Sequence, residues 1–283
     1  MDQGVRPAEN IGKLQGPTGL NIAFRSWRPR DPARAVVVII PGFNSHSGYY
    51  EWTAEQLIDE GLSTYAIDLR GRGNSDGERF FIENFADYVS DVATLVALVK
   101  SRAPRLPLFM LGHSAGGVVA CLYALKDQAE LKGLICESFA HELPAPDFAL
   151  AVFKGLSHVA PHARILHLKN EYFSRDPKVV QVMNDDPLIA HETQPTRTLA
   201  ALVRADDELK KEFAQITLPL LIVHGTTDKA AKPSGSEHFY EKAGSADKTL
   251  KLYEGAYHDL LNDRGKEQVI ADIKGWIDDH LSG

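Results

Sequence analysis

Ala35–Ile40 reads AVVVII, an apolar run with no polar break, closed by Pro41-Gly42. A strand covered on both faces has this pattern, whereas a half-exposed strand alternates. Similar runs recur in LPLFMLG from Leu106, LKGLICES from Leu131 and LPLLIVHG from Leu218. NIAFRSWRP from Asn21, STYAIDLRG from Ser63 and KTLKLYEGA from Lys248 add further predicted strands, the first of them amphipathic. Between these runs the period changes. YEWTAEQLIDEG from Tyr50 has helical spacing and stops at Gly61. FADYVSDVATLVALVK from Phe85 sets Val89, Val92, Leu95, Val96 and Val99 on one helical face. Helices are also predicted over AGGVVACLYALK from Ala115, SGSEHFYEKAG from Ser234 and KEQVIADIKGWIDDHL from Lys266.

Repeated alternation of strand and helix predicts an α/β fold, a mostly parallel sheet with helices on both faces. One stretch breaks the rhythm: residues 140–217 carry helical and loop patterns and no convincing strand. The expected organisation is a core of residues 1–139 and 218–283, with 140–217 inserted as a helical cap over one end of the sheet. The length of 283 residues, 44% of them hydrophobic, suits one large α/β domain with such an insertion.

Charge and cysteine content narrow the class. A net charge of -7 argues against a broad electrostatic grip on nucleic acid. MDQGVRPAEN has no apolar signal core, and no apolar run reaches the ~18 residues of a membrane span. The expected location is the cytoplasm, with at most peripheral contact with a membrane. Cys121 and Cys136 both lie in apolar segments and read as buried free thiols.

The candidate chemistry begins with a duplicated pattern. G-x-S-x-G occurs at Gly73–Gly77 and again at Gly112–Gly116. A nucleophile elbow needs a strand, a sharp turn bearing the serine, and a helix beginning at once, whose N-terminus favours developing negative charge. Ser114 meets every part, with LPLFML before it and a helical pattern directly after. Ser75 does not. Asp68, at the end of its strand, lies seven residues earlier, and charged, unpatterned sequence follows. Ser75 is expected to be a loop residue with local hydrogen bonds.

A serine nucleophile needs a base, and the base an orienting acid. His258 directly follows the KLYEGAY strand end and is the expected base; His238 sits in a helical pattern and His280 at the C-terminus. Asp228, past LLIVHG, is the expected acid, with Glu137 at the end of LICE as its rival. Asp259 is expected to face solvent. For an oxyanion hole the N–H of Ala115 and that of Phe43 are the candidates, since Pro41 has no N–H and Gly42 permits close backbone approach.

With these residues in place the chain resembles the α/β-hydrolases, and within them the monoacylglycerol lipase and lysophospholipase-like (serine aminopeptidase S33-type) branch. The resemblance rests on PGFNSHSGYY, DLRGRGNSDGER, GHSAGG, NDDPLI, HGTTD and YEGAYH, in that order from about Ala35 to the end. It implies an α/β-hydrolase fold with a cap, hydrolysis of a fatty acyl ester, and no metal or organic cofactor. It also marks GRGNSDGER as a non-catalytic loop. Pro41 stands where the family has His, and Tyr49 where it has Arg, which puts glycerol recognition in question. The apolar helix pattern of PDFALAVFKGLSHVA puts forward Phe148, Leu150, Val152, Phe153, Leu156 and Val159 as candidates for substrate lining or lipid-surface contact. The same face would serve equally to pack on the domain beneath. A lysophospholipase, a thioesterase, a peptidase and a short-chain or aryl carboxylesterase share the predicted chemistry. A perhydrolase and a ligand-binding receptor on the same fold stay open too.

Overall fold

The computed structural model describes residues 10–142 and 154–282. Its main sheet has eight strands in the order β1-β2-β4-β3-β5-β6-β9-β10. They are β1 (Asn10–Gln15), β2 (Asn21–Trp27), β3 (Ala35–Ile40), β4 (Leu62–Ile67), β5 (Leu108–His113), β6 (Gly133–Glu137), β9 (Leu220–Gly225) and β10 (Lys248–Tyr253). β1–β2 and β2–β4 pair antiparallel, and every other neighbouring pair is parallel.

The unbroken apolar strands divide by alternate residues. In β3, Val36, Val38 and Ile40 face one core cluster while Ala35, Val37 and Ile39 face the other. The first cluster is covered by α2 (Phe85–Arg102), α3 (Ala115–Asp127), and Phe239 of the helix Pro233–Lys242. The second is closed by α1 (Glu51–Ile58) and the C-terminal helix Lys266–Leu281, which brings in Val269, Ile270, Ile273 and Trp276. Two-sided burial of this kind is why the strands lack polar positions. α2 starts where the Asn84 side chain accepts the Ala86 N–H at 3.0 Å and ends with Lys100 and Arg102 in its last turn, favourable at both ends.

β1 was not predicted. Its residues alternate between exposed and half-buried and it pairs only with β2, so its apolar content is low, as at a sheet edge. The stretch after β6 also departs from expectation. It contributes no strand to the main sheet among the described residues, yet β7 (Arg164–Leu166) and β8 (Gln194–Pro195) form a two-stranded antiparallel ladder of their own. Strands so short carry no readable period. The same stretch contains α4 (Pro177–Asp185) and α5 (Thr196–Glu212), which are followed after β9 by α6 (Pro233–Lys242) and after β10 by α7 (Lys266–Leu281). α5 does not stand clear of the core: Ala201, Leu202, Ala205 and Leu209 join the first cluster.

The cysteines are both buried and free, with their sulfurs 3.7 Å apart. Among the described residues no helix is long and apolar enough to cross a membrane.

Candidate active site

The register aligns the strand ends. Ile40 lies beside Gly112, Gly112 beside Cys136, and Cys136 beside Ile222, so the loops after β3, β5, β6 and β9 leave the sheet along one edge. Ser114 stands on this edge between β5 and α3, with φ 55° and ψ -121°. That backbone is costly for a non-glycine residue and persists only where its surroundings hold it. Here the Ser114 N–H donates to Glu137 O at 2.9 Å, and its carbonyl accepts Gly117 N–H at 2.9 Å and Ala140 N–H at 3.3 Å. Close packing also fixes two glycines. A Cβ at Gly42 would stand 2.8 Å from Ser114 Cβ, and one at Gly116 would overlap the Ile40 carbonyl oxygen. No side chain caps α3, and the Ala115 N–H at its first position has no carbonyl four residues back within the helix to bind. The loop bearing Phe43 passes against Ser114 through Gly42.

His258 and Asp228 meet on the same edge. His258 Nδ1 lies 2.6 Å from Asp228 Oδ2, both side chains buried, which leaves Nε2 as the nitrogen open to a reacting group. Asp228 Oδ1 accepts the N–H groups of Ala230 at 2.7 Å and Ala231 at 3.0 Å. Burial alone would raise the Asp228 pKa; His258, together with His224, outweighs it and holds the carboxyl below the usual range. His113 packs its ring 4.9 Å from that of His258 and is pushed down to about 3, first by burial and then by the neighbouring His258, so it stays neutral.

Other predicted residues are placed as follows. Glu137 is fully buried and accepts the Leu261 N–H at 3.0 Å, and burial, then Asp259, push its pKa well up. Asp259 is not solvent-facing. It is buried, its N–H donates to Phe173 O at 2.9 Å, and its carboxyl takes the Asn262 amide at 3.1 Å. The chain around Phe173 lies over this loop, and the Phe173 ring is edge-on to His258 at 5.1 Å, which excludes the water Asp259 was expected to meet. Ser75 sits in its loop as expected: its hydroxyl donates to Asp68 O at 2.6 Å and accepts the Ala23 N–H at 2.8 Å. Phe148, Leu150, Val152 and Phe153 lie outside the described residues. Leu156 is half-buried, and Val159 is 82% exposed, so Val159 lines no enclosed pocket.

With this geometry established, kinship can be read. The pattern of the family described as serine aminopeptidase, S33, matches residues 31–265. The chain belongs to that family. It is 33% identical to the monoacylglycerol lipase of Mycolicibacterium smegmatis, over 94% of this chain and 96% of the relative. It is 31% identical to the human monoglyceride lipase, over 96% and 91% of the two chains. A soluble variant of the Saccharomyces cerevisiae monoglyceride lipase, solved with a substrate analog, superposes with a TM-score of 0.85 at 25% identity, covering 99% and 97%. The S33 hydrolase described here is thus an α/β-hydrolase and an ester hydrolase of the monoacylglycerol lipase-like branch.

Two features of this S33 hydrolase were missed in the sequence. The first is His224, inside β9 and fully buried. Its Nε2 lies 2.9 Å from Asp228 Oδ2, short in distance but poorly directed for a hydrogen bond, while Nδ1 meets Ser236 Oγ at 2.7 Å. The only sequence signal was a histidine in an otherwise apolar strand. His224→Phe is expected to lower kcat about tenfold with little change in KM, roughly 1.4 kcal/mol for removing the imidazole that lies against the Asp228 carboxylate. Steady-state kinetics on a chromogenic ester will check it; an unchanged kcat would remove His224 from the support of Asp228.

The second is Asp259. Burial first, and Asp263 besides, lift its pKa to about 6, against the Asn262 bond and His258, which act to lower it. The folded chain therefore binds this proton more tightly than the unfolded chain. The stabilisation is full below about pH 4 and is lost as pH rises through about 6. Asp259→Asn is expected to flatten the fall in Tm between about pH 4 and pH 7 relative to wild type. Parallel melting profiles of the two proteins would expose an error in that sign.

Proposed function

We propose that this S33 hydrolase cleaves fatty acyl esters, monoacylglycerols among them, through an acyl-enzyme on Ser114. The observation that carries this reading is the 2.6 Å His258–Asp228 pair on the same sheet edge as a strained serine heading an uncapped helix. His258 Nε2 takes the Ser114 hydroxyl proton as Oγ attacks the ester carbonyl. The N–H groups of Phe43 and Ala115 receive the oxyanion. Asp228 holds the imidazole in the tautomer with its proton on Nδ1 and stabilises the imidazolium. His258 then protonates the departing alcohol and activates a water that releases the fatty acid.

Residues 140–217 are proposed as the cap of this site. Three contacts support that role: Asn44 Nδ2 donates to Leu168 O at 3.0 Å, Phe173 packs on His258, and His46 Nε2 reaches Asp186 Oδ2 at 2.8 Å. A cavity of about 190 Å³ between Tyr49, Val179, Val182, Met183 and Asp259 opens one residue from His258. Val159 and Val182, 82% and 60% exposed, support transient contact of this segment with a lipid surface.

Tyr49, which stands where the family resemblance has an Arg, donates its OH to Asp186 Oδ2 at 2.7 Å and supplies no cation for a polar alcohol group. Recognition is therefore expected to depend on the acyl chain more than on glycerol. The test is a p-nitrophenyl ester series from short to long chains, with a monoacylglycerol and the methyl ester of the same fatty acid alongside. Rising kcat/KM with chain length, and glyceride and methyl ester within about tenfold, are expected, a gap of ~1.4 kcal/mol or less. Turnover confined to short or aryl esters would move the function to a general carboxylesterase.

A further inference from the structure

Away from Ser114, two histidines and a carboxylate converge between the loop after β6 and helix α6. His141 is fully buried, whereas Glu142 and His238 are half-buried and border solvent. His141 Nδ1 is bound by Asp206 Oδ1, from α5. A carboxylate only accepts, so His141 carries its proton on Nδ1 and presents the Nε2 lone pair outward. That Nε2 faces His238 Nδ1 at 2.9 Å. The Glu142 carboxylate completes a group in which each residue offers a ligand atom within 4.8 Å of the other two. Phe139 and Phe213 wall in the His141 ring, at 5.8 Å and 5.2 Å between centroids.

We propose that His141 Nε2, His238 Nδ1 and a Glu142 carboxylate oxygen bind Zn²⁺ or a similar borderline divalent transition metal, with Asp206 holding His141 from behind. Two histidines and one carboxylate suit zinc, and three protein ligands leave its fourth position to water. The geometry is near the required one. Two nitrogens at about 2.05 Å from a tetrahedral ion are about 3.3 Å apart, so the rings must separate by a few tenths of an ångström and turn until both lone pairs meet at the ion, with the Glu142 carboxylate closing in from within 4.8 Å. His238 has merely to move its Nδ1 proton to Nε2, and no proton is released. The carboxylate behind His141 is the arrangement that fixes the tautomer and ring of zinc-bound histidines. Lys210 Nζ, at 3.0 Å from Asp206 Oδ2, sits on the far oxygen of that carboxylate.

The second histidine–carboxylate cluster, His113 with Glu137 and Asp259, does not qualify. All three are fully buried, which leaves an ion there no solvent edge for a water ligand. The proposed site differs in its solvent edge and in its placement. It would join the loop whose Ala140 N–H supports Ser114 to the helix whose Ser236 supports His224. The ion would act there as a structural clamp, and the inference stands whatever ester the enzyme prefers.

The test is a Zn²⁺ titration of the chelator-treated full chain at pH 7.5, by competition with a chromophoric chelator, alongside melting curves. One equivalent bound with micromolar or tighter Kd is expected, with Tm raised by several degrees at saturation. Co²⁺ in its place should give the intense visible bands of four-coordination. His238→Ala and Glu142→Gln, both at the solvent edge, should weaken binding by at least about tenfold while leaving ester hydrolysis intact, and Asp206→Asn by about 10–100-fold. Binding weaker than about 100 µM in the wild type, or equal affinity in His238→Ala, would overturn the site.

Discussion

Ser114→Ala is expected to lower kcat by at least about 10⁴-fold on any ester the enzyme accepts, while the protein stays folded. The size follows from removing the attacking atom, which for hydrolases of this chemistry costs on the order of 10⁶ in kcat and leaves only binding and oxyanion contributions. The fold should tolerate the change. The contacts that hold this turn are backbone ones, from Ser114 N–H to Glu137 O and from Gly117 and Ala140 N–H to Ser114 O, and alanine keeps all three. The φ of 55° is as unfavourable for alanine as for serine, so little strain is gained or lost. Tm within about 3 °C of wild type, roughly 1 kcal/mol for a chain of this size, is the expected companion result. Loss of labelling by a serine-directed fluorophosphonate should accompany the loss of turnover. Retained turnover in the alanine variant would remove Ser114 from the mechanism and reopen the roles of His258 and Asp228.

Glu192→Ala is expected to be the most damaging single change outside the reacting groups. Arg72 is fully buried, its guanidinium bound by Glu192 and, at 2.9 Å, by Gln194 Oε1. Burial would depress the Arg72 pKa, but the Glu192 charge more than offsets it and keeps the cation. Deleting Glu192 strands that cation, a cost of about 3–5 kcal/mol, or a fall in Tm on the order of 10 °C. Removing both charges together, as Arg72→Met with Glu192→Leu, should recover most of the loss, because the desolvation of two ions goes with them. Catalysis should not recover in step. The Arg72 guanidinium stacks 4.1 Å from the centre of the Phe43 ring, beside the backbone N–H proposed to hold the oxyanion. Thermal melting of the three variants separates these outcomes; a double variant no more stable than Glu192→Ala would mean that Arg72 and Glu192 do not act as a pair.

The core was legible because burial on two faces leaves a direct trace: AVVVII and its counterparts are apolar throughout, and each parallel strand is followed by a helical period. Ser114, Asp228 and His258 stood out for a related reason, since each lies within five residues of a strand's C-terminal end, and the structure brings His258 and Asp228 into contact there. The features that were missed leave weaker traces. β1 is an exposed edge, and β7 and β8 are too short to show a period. The Arg72–Glu192 pair joins residues far apart in the chain, so nothing in local sequence encodes the partner; His224 lies only four residues from Asp228, but a single histidine in an apolar strand carries no periodic signal that it faces that carboxylate. Asp259 was misjudged because its neighbours in sequence say nothing of Phe173, which covers it.

The alternate-residue division of β3 has a consequence for how this chain can change in length. One residue inserted into or deleted from Ala35–Ile40 would exchange the residues facing the two cores. It would also shift Gly42 off Ser114, where no other side chain fits. The six parallel strands share this constraint through their common register. Among the described residues the stretch between β6 and β9 adds no strand to this sheet, so a change of length within it shifts no strand register. Descent with insertion and deletion is therefore expected to write new substrate preferences between residues 138 and 219 and to leave the spacing from Gly42 to Ser114 to Glu137 unchanged.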